Sequence, residues 1–114
     1  MLEIVPTSAA GFIHVALRGD ITSASAPQLE QALTVALAGQ VPPRCVLDLE
    51  QLTFTSSAGL RVFLAFAKRI KTAGGQFVLC AVQPAVFEVL EMSGFTRILT
   101  LAPDLAAARR QSPN

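Results

Sequence analysis

The chain has 114 residues, of which 52% are hydrophobic and 15% are charged, and its formal net charge is +1. This length and this apolar content predict one domain with its own hydrophobic core over residues 1–114. The balanced charge and the absence of Trp and Tyr argue against a nucleic-acid partner. Because charged residues interrupt the apolar stretches before membrane-spanning length and no signal segment is recognisable, we expect a cytoplasmic protein without membrane insertion.

Two strands and a helix are predicted at the start of the chain. Residues 2–5 form a short apolar run, and residues 12–17 alternate apolar and polar side chains as a half-buried strand does. Ser25 and Gln28 have the spacing of a capping box, and leucines recur at every fourth position after them until Gly39. The first helix is therefore predicted to begin after a serine cap and to end at a glycine.

A central strand and a second helix follow. Residues 45–49 form an apolar run of strand length, and a turn is expected between this run and the next helix. Ser57 is suited to cap that helix, in which apolar residues keep helical spacing as far as Ile70. Gly74 then supplies a left-handed exit from the helix.

The last third of the chain predicts two further strands and two further helices. A strand over residues 77–82 precedes a helix that begins at Pro84, and a short strand over residues 98–101 precedes a terminal helix over residues 104–110. The polar sequence of residues 108–114 is predicted to fray. Because strands and helices alternate, we expect an α/β or α+β fold with one sheet and helices packed against it.

The larger apolar side chains and the thiols are assigned to the core. The phenylalanines with this assignment are Phe63, Phe66, Phe77 and Phe87. Met92 is predicted to fill a gap between other apolar side chains. Cys45 and Cys80 lie far apart in sequence without a CxxC pair, which predicts reduced, buried thiols.

The residue types needed for catalysis are missing or misplaced. The hydrolase elbow GxSxG needs a glycine two residues before the serine, but Thr55 occupies that position before Ser57. The only histidine, His14, lies within a predicted strand, where we expect a structural role. One histidine and two separated cysteines do not form a zinc ligand set, and no GxxxxGK[ST] loop is present. We therefore expect no enzyme activity, no metal and no cofactor.

Ser56 and Ser57 are the polar residues that call for a functional interpretation. They lie where a predicted strand meets a helix N-terminus, whose unpaired N–H groups and positive potential stabilise an oxygen or a phosphate. Ala58 and Gly59 add only small side chains, so another protein can approach closely. From the local pattern two interpretations stay open: a serine that only caps the helix, or a serine that is modified or bound by a partner.

The order of several motifs resembles that of STAS domains of the anti-sigma factor antagonist family. The family's first half is matched by RGDITSASAPQLEQAL, and its second half by LDLEQLTFTSSAGLRVFLAFAKRIKTAGGQFVLCAVQPAVFEVLEMSGFTRIL. The match covers nearly the whole chain. It implies a STAS fold, in which a mixed sheet of about four or five strands packs with about four helices, and a bacterial regulator of transcription.

The resemblance also implies a function based on partner switching. An unphosphorylated antagonist binds an anti-sigma factor that is also a serine kinase, and phosphorylation of one serine releases it. The kinase supplies ATP and Mg, and a serine phosphatase reverses the reaction. Laying the glycine of the family pattern D-S-[ST/A]-G on Gly59 puts the acceptor on Ser57, with Ser56 as the second choice. The alternative is a subunit or adaptor of a larger assembly, such as a lipid-transport ATPase or a stress-signalling complex.

A partner-binding surface is implied by the same resemblance. It comprises Asp20, Thr22, Ser56, Ser57, Ala58, Gly59 and Arg61. Ser56 stands where the family often has aspartate, and Thr22 where many members have an acidic residue, so this surface carries less negative charge than is usual in the family. Arg61, Lys68 and Lys71 form a basic stripe that either faces solvent or meets an acidic partner.

Overall fold

Five strands and four helices form the fold of this computed structural model, which describes residues 1–9 and 11–110. In chain order they are β1 (Leu2–Ala9), β2 (Phe12–Ile21), α1 (Ala26–Leu37), β3 (Arg44–Thr55), α2 (Ser57–Thr72), β4 (Gln76–Cys80), α3 (Pro84–Met92), β5 (Thr100–Ala102) and α4 (Leu105–Arg110). A single turn of 3-10 helix, Phe95–Arg97, lies between α3 and β5. The predicted mixed α/β fold is confirmed.

The five strands make one mixed sheet in the order β1-β2-β3-β4-β5. β1 is antiparallel to β2, and the other neighbours are parallel. Parallel neighbours need a crossover, and the helices between β2 and β5 supply these connections. The carboxyl ends of β2, β3 and β4 consequently meet at one edge of the sheet, and the loops that follow them share that edge.

The main core lies on the face of the sheet that α1, α2 and α3 cover, which we call the front face. Its largest fully buried side chains include Leu17 of β2, Leu29 of α1 and Phe63 and Phe66 of α2. Each buried side chain of this size stabilises the fold by about 1.5–3 kcal/mol relative to an exposed one. The predicted spacing of apolar residues in α1 and α2 reflects this packing.

A smaller core lies on the opposite face, the back face, beneath α4. Ala107 and Ala108 of α4 pack on strand residues that include Val46 and Cys80. Asp104 stabilises the start of α4, because its Oδ1 accepts a hydrogen bond from the Ala107 N–H at 2.8 Å. Residues 108–110, which we assigned to a frayed tail, belong to α4, and Ala108 is fully buried. The rest of that tail, residues 111–114, lies outside the described residues.

Several strand boundaries differ from the sequence prediction because pairing, not local composition, sets them. β1 continues to Ala9 since it pairs along most of β2. β3 continues from residue 49 to Thr55, where a turn was expected, because it stays paired with β2 through two irregularities in register. β5 begins at Thr100, not at residue 98, and pairs with the three-residue stretch 78–80 of β4.

Three side-chain predictions are wrong. Phe87 and Met92 are 39% and 82% exposed, because they lie off the face of α3 that buries Val86 and Leu90 in the core. The capping box at α1 does not form: Ser25 Oγ accepts a hydrogen bond from the Thr22 N–H at 2.8 Å and makes none with the helix. The hydroxyl of Ser25 thus closes the turn before α1.

The two thiols predict how stability depends on pH. Burial raises the pKa of Cys45 to about 12, and burial, with the negative charges of Asp48, Asp104 and Glu50, raises the pKa of Cys80 to about 12. Above the ordinary thiol pKa of 9.0 the unfolded chain loses these protons while the folded chain keeps them. The free energy of unfolding should therefore fall between pH 9 and 12, by up to about 1.4 kcal/mol per pH unit for each thiol.

Urea unfolding at several pH values checks this expectation. The double variant Cys45→Ala/Cys80→Ala removes both thiols and should lose stability less steeply with pH. An identical slope for the two proteins would contradict the assignment. The native thiols should also react far more slowly with an alkylating reagent at pH 8 than those of the urea-unfolded chain.

Candidate partner-binding site

The carboxyl ends of β2 and β3 bring the predicted site residues to one edge of the sheet. The two strands are parallel neighbours, and their last paired residues are Ile21 and Thr55. The Ser56 N–H donates a hydrogen bond of 2.8 Å to the Ile21 carbonyl. The loop that follows β2 and the start of α2 are therefore held side by side.

Ser56, not Ser57, is the N-cap of α2. Its backbone is extended, with φ −83° and ψ 171°, and its Oγ accepts a hydrogen bond from the Gly59 N–H at 3.3 Å. The predicted cap was placed one residue too late, because β3 continues to Thr55 and leaves only Ser56 between strand and helix. Ser57 is the first residue of α2 and is exposed. Its hydroxyl has no hydrogen-bond partner among residues 1–9 and 11–110.

Gly59 allows the first turn of α2 to lie close to the sheet. A Cβ atom at this position would collide with Thr55 Oγ1 and lie 2.8 Å from Cγ2 of Ile21. Thr55 is itself buried, and its hydroxyl donates a hydrogen bond to the Ser56 carbonyl at 3.1 Å. The glycine therefore has a packing role, and this packing fixes where the exposed Ser57 stands.

The other predicted residues surround this helix start. Asp20 lies near the end of β2, with its carboxylate 2.5 Å from the amino group of Met1. Thr22 is exposed, and its Oγ1 accepts a hydrogen bond of 3.1 Å from the Ser25 N–H. Arg61 is exposed and lies four residues after Ser57, a spacing that places both on one side of a helix. Ala58 is half-buried beside them. That this surface binds a partner stays a prediction.

The electrostatic character of the site is close to neutral around Ser57. The first turn of α2 contains no acidic residue. Asp20 is 33% exposed and faces an ammonium group, which offsets its charge. Lys68 and Lys71 are exposed further along α2. Among the predicted site residues Asp20 is the one carboxylate, and it is paired with the amino group of Met1.

Phe54 is a neighbour of the site that the sequence analysis did not single out. Its side chain is 50% exposed, and its Cα is paired with that of Asp20 across β2 and β3. It was hidden in the segment predicted as a turn, where an exposed phenylalanine has no distinctive pattern. Its position could have been suspected only from its closeness to Ser56 in the sequence.

His14 lies apart from this edge and has the structural contact that its mid-strand position predicted. Its Nε2 is 3.1 Å from Oδ2 of Asp48, on the back face of the sheet. Both side chains are largely shielded, with 23% and 19% of their surfaces exposed. The pair links β2 to β3.

Comparison with known families decides the classification. The model of the STAS domain matches residues 4–108. The chain belongs to the STAS domain family. The resemblance drawn from the order of the motifs is thereby confirmed. Within residues 1–9 and 11–110 of this STAS domain, no helix has both the length and the apolar character needed to cross a membrane.

Several relatives of this STAS domain are bacterial regulators. It is 44% identical over 98 residues to the "Putative anti-sigma factor antagonist BtrV" of Bordetella bronchiseptica, with 86% of this chain and 84% of that protein covered. It is 31% identical over 91 residues to the anti-sigma F factor antagonist of Paenibacillus polymyxa, with 80% and 78% covered. The crystal structure of an anti-sigma factor antagonist from Mycobacterium paratuberculosis matches with a TM-score of 0.89 at 26% identity, with 100% and 96% covered.

The two serines of the STAS domain should differ in their contribution to stability. Ser56→Ala removes the capping oxygen and should lower the free energy of unfolding by about 0.5–2 kcal/mol. Ser57→Ala removes an exposed hydroxyl that caps nothing and should change it by less than about 0.5 kcal/mol. Urea denaturation of both variants beside the wild type checks the difference. A larger loss for Ser57→Ala would mean that Ser57 is the cap.

Proposed function

We propose that this protein is an anti-sigma factor antagonist that binds an anti-sigma factor through the edge around Ser57 and is released from it when Ser57 is phosphorylated. The observation that carries the proposal is the exposed hydroxyl of Ser57 at the first position of α2, which has no hydrogen-bond partner within residues 1–9 and 11–110. The relatives at 44% and 31% identity support the regulatory role, because both names describe anti-sigma factor antagonists.

Ser57 is a better acceptor than Ser56 for a geometric reason. Ser56 is only half-exposed, and its Oγ already accepts the Gly59 N–H. A kinase that modified Ser56 would have to break the cap of α2 to reach the oxygen. Ser57 can enter another protein's active site with the helix intact, and the small side chain of half-buried Ala58 leaves room for that protein.

A phosphate at Ser57 would act on the interface and leave the fold intact. It adds about −1.5 to −2 charges and three acceptor oxygens. The N-terminus of α2 favours negative charge, and Arg61 lies one turn further along the same side of the helix. A partner that had covered this edge would have to desolvate a dianion, and a buried charge without a partner costs about 2–5 kcal/mol of binding free energy. That loss is enough to release the complex.

The partner supplies the chemistry in this scheme. The anti-sigma factor is proposed to be a serine kinase that brings ATP and Mg, and a serine phosphatase returns the domain to its binding form. The STAS domain contributes the geometry of the acceptor and the binding edge. Asp20, Thr22, Ser56, Ala58 and Arg61 are proposed to contact the partner, whereas Gly59, predicted as a contact, is buried and acts through the packing of α2 on the sheet.

Phosphorylation with the anti-sigma kinase and ATP tests the assignment of the acceptor. Ser57→Ala should abolish incorporation of phosphate, because the acceptor oxygen is removed while the cap remains. Ser56→Ala is the matched control, since it loses the cap and should still be labelled at Ser57. Intact-protein and peptide mass spectrometry give the stoichiometry and the site. Stoichiometric labelling of Ser57→Ala would transfer the assignment to Ser56.

A pull-down with wild-type and Ser57→Asp domains separates the proposal from its alternative. The wild-type bait should retain an anti-sigma factor with an ATP-binding kinase fold, and the aspartate variant should release it because negative charge enters the interface. If both baits retained the same transporter or scaffold subunits and no kinase, the domain would be an adaptor of a larger assembly.

A further inference from the structure

The register between β2 and β3 exposes a phenylalanine that regular pairing would bury. Gly19 is opposite Leu52, but the next residue, Asp20, is opposite Phe54, so β3 contains one extra residue at this point. With regular pairing, Thr53 would face Asp20, and Phe54 would lie opposite Ile21, whose side chain belongs to the main core. A bulge of this kind redirects the side chains that follow it.

The bulge produces an exchange that is unfavourable for folding. Thr55 takes the core position opposite Ile21 and is 3% exposed, whereas Phe54 points to the back face and is 50% exposed. Full burial of phenylalanine is worth about 1.5–3 kcal/mol, and Phe54, at 50% exposure, forgoes roughly half of that. The arrangement is nonetheless stabilised locally, because the Thr53 hydroxyl donates a hydrogen bond of 2.9 Å to the Gly19 carbonyl.

The surroundings of Phe54 distinguish it from an ordinary exposed apolar residue. Four other phenylalanines of the strands and α2 are nearly or fully buried: Phe12, Phe63, Phe66 and Phe77. Polar groups flank Phe54. Asp20 is paired with it, and the exposed residues Arg18 and Gln51 form another pair, nearer the start of the same two strands. A single aromatic ring inside a polar rim is the pattern of residues that dominate binding energy in protein interfaces.

Phe54 is also close enough to Ser57 to be covered by the same partner. The two residues are three positions apart, so their Cα atoms are within about 11 Å of each other. A standard interface buries about 800 Å² on each partner and readily spans that distance. Ser57 and Phe54 thus lie at the same end of the sheet, where β3 passes into α2.

We propose that Phe54 is the apolar anchor of the anti-sigma factor interface, and that the β3 bulge serves to place its ring outside the core. This inference rests on the proposed function and extends it to a residue that determines affinity. The anti-sigma factor must then offer an apolar pocket that excludes water from the phenyl ring, next to the groups that approach Ser57. The ring supplies affinity, while the phosphorylation state of Ser57 decides whether the partner can close over it.

Binding of the purified anti-sigma factor retained by the wild-type bait tests this inference, with dissociation constants measured by calorimetry. Phe54→Ala should weaken binding at least about 30-fold, and Phe54→Leu, which keeps apolar bulk, should lose only part of that affinity. Val35→Ala is the control: Val35 is 68% exposed and lies in the last turn of α1. It should bind like the wild type.

Urea denaturation and the Ser57→Asp variant separate the possible failures. Phe54→Leu should unfold like the wild type, so that its loss of binding cannot be attributed to a damaged fold. Suppose that the wild type binds, that Ser57→Asp does not, and that both Phe54 variants bind within threefold of the wild type. The assignment of Phe54 as the anchor is then wrong, while the proposed function stands. If the wild type binds no anti-sigma factor at all, the proposed function and this inference both fail.

Discussion

The parallel pairing of β2 with β3 is the constraint on which the rest of the structure depends. Because both strands end at one edge of the sheet, the residues after Ile21 and after Thr55 are held together, and the hydrogen bond from Ser56 to the Ile21 carbonyl closes that edge. Gly59 lets α2 begin directly against it. The exposed groups at the start of α2 are thus held by a packed scaffold, which gives them a defined orientation.

Ser56 and Ser57 have different roles, and this difference makes a modification of Ser57 compatible with the fold. Ser56 Oγ accepts a hydrogen bond from the Gly59 N–H, whereas the Ser57 hydroxyl is exposed and makes no hydrogen bond in the described part of the chain. A charge added to Ser57 therefore meets the favourable end of the α2 dipole without removing a cap. Such an arrangement can change what binds while the fold persists.

The bulge in β3 buries a polar side chain and exposes an apolar one, which is the reverse of what hydrophobic burial favours. Thr55 is buried, with its hydroxyl donating a hydrogen bond to the Ser56 carbonyl, whereas Phe54 is half-exposed. Local choices normally agree with the global fold, and departures from that agreement concentrate where a protein contacts something else. The departure here lies three residues before Ser57, at the end of β3.

The sequence by itself determined the alternation of strands and helices, the buried residues of α1 and α2, and the family, because apolar periodicity and motif order are local properties of the chain. It also located the Ser56–Ser57 pair at a helix start. Only the tertiary structure decided which serine caps α2, since that depends on how far β3 stays paired with β2. The same pairing decided that Phe54 is exposed and Thr55 buried, because register relates residues distant in sequence and a shift of one position reverses the face of every side chain after it.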